Sequence, residues 1–290
     1  MNKISETELI LNKDGSVYHL HLLPGDISDT ILHVGDPERV KMVASFFQKI
    51  EIKKQNREFV TVTGGYNGKR ITVISTGIGA DNIDIVYNEL DALVNIDLKT
   101  RTIKEKLTTL NLIRIGTSGS LQEEIEPDAF VFSKHALGLD GLLHHYRRKN
   151  TEEEKNIMEQ FRKSYSAFHT LPLPYLASCS GELEEKISGG MYKGITATCS
   201  GFYAPQGRKL RAELMYPGLI DTLALFRHHN LKITNFEMET AAMYGLASVL
   251  GHRCGSVNVI VANRITKQQS RNAEKAMMDL IAVVMERITA

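Results

Sequence analysis

The sequence predicts a single α/β domain over residues 1–290, built on a mixed central β-sheet flanked by helices. Three observations predict it. Short apolar, β-branched runs alternate with amphipathic segments of helical period. No linker, repeat or low-complexity stretch divides them. A chain of 290 residues is ample for a sizeable core.

The elements follow in order. DTILHVG (29–35) reads as a short buried strand, and DPERVKMVASFF as the helix after it. Asp36 can cap that helix, Pro37 fits its first position, and Val40, Val43, Ala44 and Phe47 recur at helical spacing. EFVTVTGGYNGKRITVIST is a hairpin, with Asn67-Gly68 supplying residues that tolerate positive φ. IDIVYNELDALVNI is an amphipathic helix. A basic, polar spacer leads to LNLIRIG, a buried strand, and DAFVFSKHALGL is a further strand. TEEEKNIMEQFRKS is a helix whose acidic first turn suits the helix dipole. GITATCSGF is a strand that ends in a turn, CSGFYAPQGR (199–208). NFEMETAAMYGLASVLG reads as a helix stopped by Gly251, SVNVIVANR as a strand, and NAEKAMMDLIAVVMERI as the closing helix.

Composition narrows the function. Lys plus Arg number 35 and Asp plus Glu 34, which argues against a general nucleic-acid surface but leaves room for a local Arg cluster that binds a small anion. Cys179, Cys199 and Cys254 are scattered, with no CxxC and no HExxH, so no metal site is expected. They read as reduced, buried thiols in a cytoplasm. No apolar run reaches the ~18 residues of a membrane helix, and the N-terminus has no apolar stretch of signal length.

The residues with chemistry sit where strands end, the usual place for ligands in such sheets. Gly35 precedes a helix start whose free N–H groups suit an anion, and Arg39 in the first turn opposes the dipole, a local cost that phosphate binding would explain; an exposed Arg is the alternative. Arg114 lies inside an apolar strand and needs an anionic partner. An oxyanion site formed with Gly116, Thr117, Ser118 and Gly119 at the strand end would supply one; an internal Arg–carboxylate bridge is the alternative. STGIGADN follows a strand and opens a helix, but Asn82 takes the third glycine position of a dinucleotide fingerprint, so tight-turn glycines are the reading. Glu237 fits a capping box with Thr234, whereas Glu239 is free to take ribose hydroxyls as paired acceptors. In CSGFYAPQGR, Phe202, Tyr203, Gln206 and Arg208 are either strand-end core and solvated loop or a pocket for a flat polar ring.

Together, VGDPER, NREF, STGIG, IRIGTSG, FYAPQGR, FEMET and VANR, in that order, resemble the nucleoside phosphorylase family, and its uridine phosphorylase branch most closely. The resemblance runs from about residue 18 to the last helix. It implies a transferase, a pentosyltransferase that splits uridine with inorganic phosphate in pyrimidine salvage, and no cofactor. It implies a phosphate pocket of Gly35, Arg39, Arg114 and Thr117, with Arg57 reaching in from a neighbouring subunit. Glu237, Met238 and Glu239 would hold the ribose, and His19 of the neighbour its 5′-hydroxyl. Phe202, Gln206 and Arg208 would hold uracil, with Arg264 behind Arg208. Arg114, Arg208 and Glu239 would be catalytic. Glu58 matches a position that can hold a monovalent cation at the dimer interface. The spacer at 98–110 is longer than in compact bacterial relatives and is similar to that of eukaryotic uridine phosphorylases, which are dimers rather than hexamers. The family's purine branch and its nucleosidases carry an Asp where this chain has Asn263. That residue and the Gln206/Arg208 pair favour a pyrimidine nucleoside over a purine nucleoside phosphorylase, a nucleosidase or a non-catalytic nucleoside-binding protein. One departure is Pro205, which stands where the family usually has Gly, removing an N–H and restricting Ala204.

Overall fold

The computed structural model describes residues 3–165 and 170–290. In chain order the elements are β1 (Thr30–Val34), α1 (Pro37–Ala44), β2 (Lys49–Asn56), β3 (Phe59–Tyr66), β4 (Lys69–Ser75), α2 (Ala80–Asn95), β5 (Ile96–Asp97), β6 (Thr102–Ile103), β7 (Asn111–Ser120) and β8 (Phe130–Gly138). They continue with α3 (Glu152–Tyr165), β9 (Tyr175–Ser178), α4 (Gly181–Ile187), β10 (Tyr192–Thr198), α5 (Leu219–Leu225), β11 (Arg227–His228), β12 (Leu231–Glu237), α6 (Thr240–Leu250), β13 (Arg253–Asn263) and α7 (Ala273–Thr289).

One mixed sheet carries all but β5 and β6, in the order β11-β12-β10-β8-β13-β7-β1-β4-β3-β2, with β9 on β8. β1 runs parallel to β4 and β7, and β13 parallel to β7 but antiparallel to β8. An extra antiparallel contact joins β12 to β7 through Asn235–Ser120 and Phe236–Gly119. It closes β7, β13, β8, β10 and β12 into a ring and draws the ends of β7 and β12 together.

The β-branched strands bury both faces. In β1, Ile31 packs with α2 and α6, while its neighbour Leu32 packs with α1 and α7. In β7, Leu112 faces the first layer and Ile113 the second. Each such side chain contributes about 1.5–3 kcal/mol by burial. A third core joins α3 and α5 to β10 and β12 through Phe161, Leu223, Ile195 and Phe236.

The hairpin turn is as expected: Asn67 and Gly68 take φ 47° and 76° between β3 and β4. Asp36 caps α1 by accepting from the Glu38 N–H at 2.8 Å. Several boundaries differ from the sequence reading. α1 stops at Ala44, and Phe46 and Phe47 form a following turn, bonded to Val43 and Ala44. β7 continues through Gly116–Ser120, which pairs with β13 instead of forming an open loop. The NFE of NFEMETAA is the end of strand β12, not a helix start, so the capping box of Thr234 and Glu237 does not form. Thr234 sits mid-strand and donates to the Ile195 carbonyl and to Asn235. The polar edge strand β2 and the short β9 were not read from the sequence; β2 alternates exposed and half-buried residues without an apolar face.

All three cysteines are free, Cys199 and Cys254 buried and Cys179 half-buried. Burial raises each thiol, Cys179 and Cys254 to about 12. The native protein should therefore react slowly with a thiol-specific disulfide reagent at neutral pH, and all three thiols should appear on unfolding. Rapid titration of Cys199 or Cys254 in the folded protein would contradict the packing.

Candidate active site

The ends of β1, β4, β7, β10, β12 and β13 converge on a cavity of about 1100 Å³. It is lined by Gly35 and Arg39 after β1, Glu58 before β3, Gly77 after β4 and Arg114, Thr117 and Ser118 on β7. Phe202, Gln206 and Arg208 enter from the loop after β10, and Glu237, Met238 and Glu239 from the end of β12.

Arg114 holds the floor. Its Nη2 donates to Glu239 Oε2 at 2.6 Å and lies 3.2 Å from Glu237 Oε2. Its Nη1 donates to Asn258 Oδ1 at 2.6 Å. The internal carboxylate bridge is thus realised, on a guanidinium that also faces the cavity. Two of its five N–H groups are committed to these bonds. Burial works against the guanidinium charge, but Glu237 and Glu239 more than offset it and the pKa rises.

The two carboxylates have different surroundings. Burial pushes the Glu237 carboxyl up, against the pull of Arg114. It accepts from the backbone N–H groups of Glu239 and Thr240 and from the Thr198 and Thr240 hydroxyls. It therefore caps α6 from outside the helix, the role the capping box would have had. Glu239 Oε1 accepts from the Gly79 N–H at 2.8 Å, so the glycine turn before α2 fixes it. Gly77 and Gly79 take φ 70° and 98°, the tight-turn reading.

Arg39 stands beside this pair. Its pKa is lowered, by burial first and then by Arg114. Among the described residues its guanidinium has no ion-pair or hydrogen-bond partner. Arg39 and Arg114 thus face one cavity with donors to spare. The strand end is not an open loop. Gly116 to Gly119 continue β7 and pair with β13 on one edge, while on the other edge β1 stops opposite Arg114, and Thr117, Ser118 and Gly119 line the cavity wall.

At the opposite end, Gln206 is only 3% exposed and Phe202 is 51% exposed. Arg208 Nη1 donates to Gln206 Oε1 and to the Phe202 carbonyl, both at 2.6 Å. Its guanidinium lies 3.8 Å over the Phe202 ring centroid. Burial, then Arg264, lowers its pKa to about 10. Arg264 stays outside the lining, donating to the Gln206 carbonyl at 3.1 Å, behind Arg208 as expected. Tyr203 is exposed and packs edge-on against Phe202. Pro205 sits in the first turn of a 3₁₀-helix, Ala204–Gln206, where its missing N–H is not needed.

Two expected residues do not reach this cavity. His19 donates its backbone N–H to Glu89 and pairs with it through Nδ1 at 2.6 Å. Arg57, at φ 53° in the β2–β3 turn, lies 5.8 Å from the Tyr18 ring. Asn56 ties the two segments by donating to the His19 carbonyl at 2.7 Å. They form one surface patch of their own. Asn263 also stays outside: its Nδ2 donates to the Gln122 and Ile125 carbonyls, and its Oδ1 accepts from Ile265 and Thr266.

Asn258 and Phe236 are not singled out from the sequence, whereas Gly79 belongs to the tight glycine turn that is. Asn258 carries the signal that picked out Arg114, a polar residue inside the apolar strand SVNVIVAN. Phe236 floors the base end, 5.6 Å from Arg208 and 5.4 Å from Arg264. Among the described residues no group of three or more His, Cys, Asp or Glu could hold a metal, and no helix is long and apolar enough to cross a membrane.

The phosphorylase superfamily model matches residues 29–290. The uridine phosphorylase of Thermococcus kodakarensis is 31% identical, over 95% of this chain and 87% of its own. A DeoD-type purine nucleoside phosphorylase of Listeria welshimeri is 26% identical, over 92% of this chain and 97% of its own. The crystal structure of a Trypanosoma brucei nucleoside phosphorylase with uridine phosphorylase activity superposes with a TM-score of 0.88 at 29% identity, covering 97% of this chain and all of that one (100%).

Removing the Glu239 carboxylate would leave the buried Arg114 under-compensated. Glu239→Ala should destabilise the fold by about 3–5 kcal/mol in urea unfolding, the usual cost of breaking a buried pair. A loss within the ~1 kcal/mol typical of exposed pairs would mean that the bridge is not formed.

Proposed function

The chain belongs to the phosphorylase superfamily, and from that premise we propose that it cleaves uridine with inorganic phosphate, giving uracil and ribose 1-phosphate. The observation that carries this reading is the pairing of two ends of one cavity: Arg39 and Arg114 at one, and Arg208 bonded to Gln206 and stacked on Phe202 at the other.

Phosphate, held by Arg39, Arg114, Thr117 and the Gly35 backbone, attacks C1′ as the N-glycosidic bond breaks. The bonding pair leaves with the base, and the sugar becomes oxocarbenium-like, as in other glycosyl transfers. Glu239, with Glu237 and Met238, holds the ribose hydroxyls. Uracil spreads its new charge over its carbonyl oxygens, where Arg208 stabilises it without donating a proton. Because Oε1 of Gln206 is turned to Arg208, the amide is oriented for the base edge. A departing purine usually needs an acid at its imidazole nitrogen. Asn263, with its amide spent on backbone groups, supplies none. This favours the pyrimidine over the purine reading, although relatives of both kinds align over most of the chain.

The active unit is a homodimer, in which Arg57 and His19 of one subunit complete the other's site. Their joint position away from their own cavity supports this, with Arg57 completing the phosphate site and His19 meeting the 5′-hydroxyl. Glu58, on the cavity wall, is the candidate partner for a monovalent cation at that interface. The buried reduced thiols fit a cytoplasmic enzyme of pyrimidine salvage.

Base release from uridine, thymidine and inosine, with and without phosphate, tests the reading. Uridine cleavage should require phosphate and exceed inosine cleavage, and Arg114→Ala should nearly abolish it, since one lost donor to developing charge costs on the order of 3 kcal/mol. Equal uracil release without phosphate would make the protein a hydrolase. Arg208→Ala should cut kcat/KM for uridine comparably; an intact rate would remove Arg208 from the base site.

Sharing of the site is tested by complementation. Arg57→Ala and Arg208→Ala should each be poorly active alone. Random reassortment of equal amounts makes half the dimers mixed, with one of two sites intact in each, so about one quarter of normal activity should return. A verified heterodimer no more active than the average of the two variants would place Arg57 within its own site.

A further inference from the structure

We propose that Gly116 is a positioning residue for Arg114: the missing side chain is the slot in which the guanidinium lies. Residues two apart in a strand share a face, so Arg114 and Gly116 of β7 point the same way. A Cβ built on Gly116 would fall 1.8 Å from Nη1, 2.4 Å from Cζ and 2.8 Å from Nη2 of Arg114. These three atoms belong to one rigid plane, so the group would have to move as a whole. It has nowhere to move without losing its partners. Nη1 is held by Asn258, the residue paired with Gly116 across the β7–β13 ladder, and Nη2 by Glu239.

The usual reasons for a glycine do not apply here. Gly116 is absent from the positive-φ positions of the chain and lies in regular ladder pairing. Inside a strand, glycine costs chain entropy and gives up a side chain that would pack. The space is nevertheless filled, by a side chain that starts two residues earlier. The guanidinium therefore runs forward along its own strand to the cavity, where it meets Glu239 and faces Arg39. With a side chain at 116, Arg114 would be turned out of this plane, and both the carboxylate alignment and the donors left for a bound anion would go with it.

The activity arm of this inference rests on the phosphorolytic reading; the stability arm does not. The test is a double-mutant cycle of Gly116→Ala and Arg114→Ala, followed by urea unfolding and by phosphate-dependent uridine cleavage. Alone, Gly116→Ala should lower the unfolding midpoint and cut kcat/KM by about 10²–10³-fold, the range for a lost charge-stabilising donor. In the Arg114→Ala background, where almost no activity is left to lose, it should lower the unfolding midpoint no further, because the methyl then enters vacated space. A purely structural glycine would lower the unfolding midpoint equally in both backgrounds, and that result, or an unchanged single variant, would overturn the proposal. If Gly116→Ala alone does not fold, a double variant that unfolds cooperatively at the midpoint of Arg114→Ala supports it, and a double variant that fails to fold where Arg114→Ala folds contradicts it. If the unaltered protein does not cleave uridine, the proposed function fails, and the unfolding cycle still decides the place of Gly116.

Discussion

The charge of Arg114 has to be compensated inside a sheet, and much of the site follows from that requirement. A guanidinium stripped of water costs several kcal/mol unless its donors and its charge are both met. Glu237 and Glu239, both at the end of β12, offset the charge, and Glu239 and Asn258 of the neighbouring β13 each accept one of its N–H groups. These partners are fixed in turn. Glu237 is held by the start of α6 and by Thr198 of β10, and Glu239 by the turn before α2. One buried charge thus ties β7, β10, β12, β13 and two helix starts to a common point.

The same arrangement leaves chemistry available. Because Arg114 spends only part of its donor set, and Arg39 none of it on other side chains, the floor of the cavity retains guanidinium donors for an anion. His33, the ladder neighbour of Arg114 on β1, is buried without a hydrogen-bond partner among the described residues. Burial, and then Arg114, lowers its pKa to about 3, so it stays neutral and adds no competing cation. At the far end the Arg208–Gln206–Phe202 group is bonded internally and stacked, so its donors are set before a ligand arrives. Such preorganisation is where most electrostatic stabilisation of developing charge comes from.

Much of this was legible in the sequence, for identifiable reasons. Arg114 stood out because it interrupts an apolar run, and Asp36, Pro37 and Asn67-Gly68 because their local geometry is fixed by residue type. The cavity residues from Gly35 to Arg208 gathered as the motifs implied. What was not legible depends on pairing between distant segments. The strand character of Thr234–Glu237 arises from its contacts with β10 and β7, while its local pattern suits a capping box. The continuation of β7 through Gly116–Ser120 likewise comes from β13, and no local rule distinguishes it from a glycine-rich loop. His19 and Arg57 reach the site only if a second subunit supplies them.

In the proposed reaction the arginine floor holds a phosphate that becomes bonded to the sugar. Phosphorus NMR of the protein with uridine and inorganic phosphate tests it most directly. A sugar-phosphate monoester resonance should grow in step with uracil while inorganic phosphate declines equally. Uracil accumulating with free ribose, and with the phosphate resonance unchanged, would contradict it.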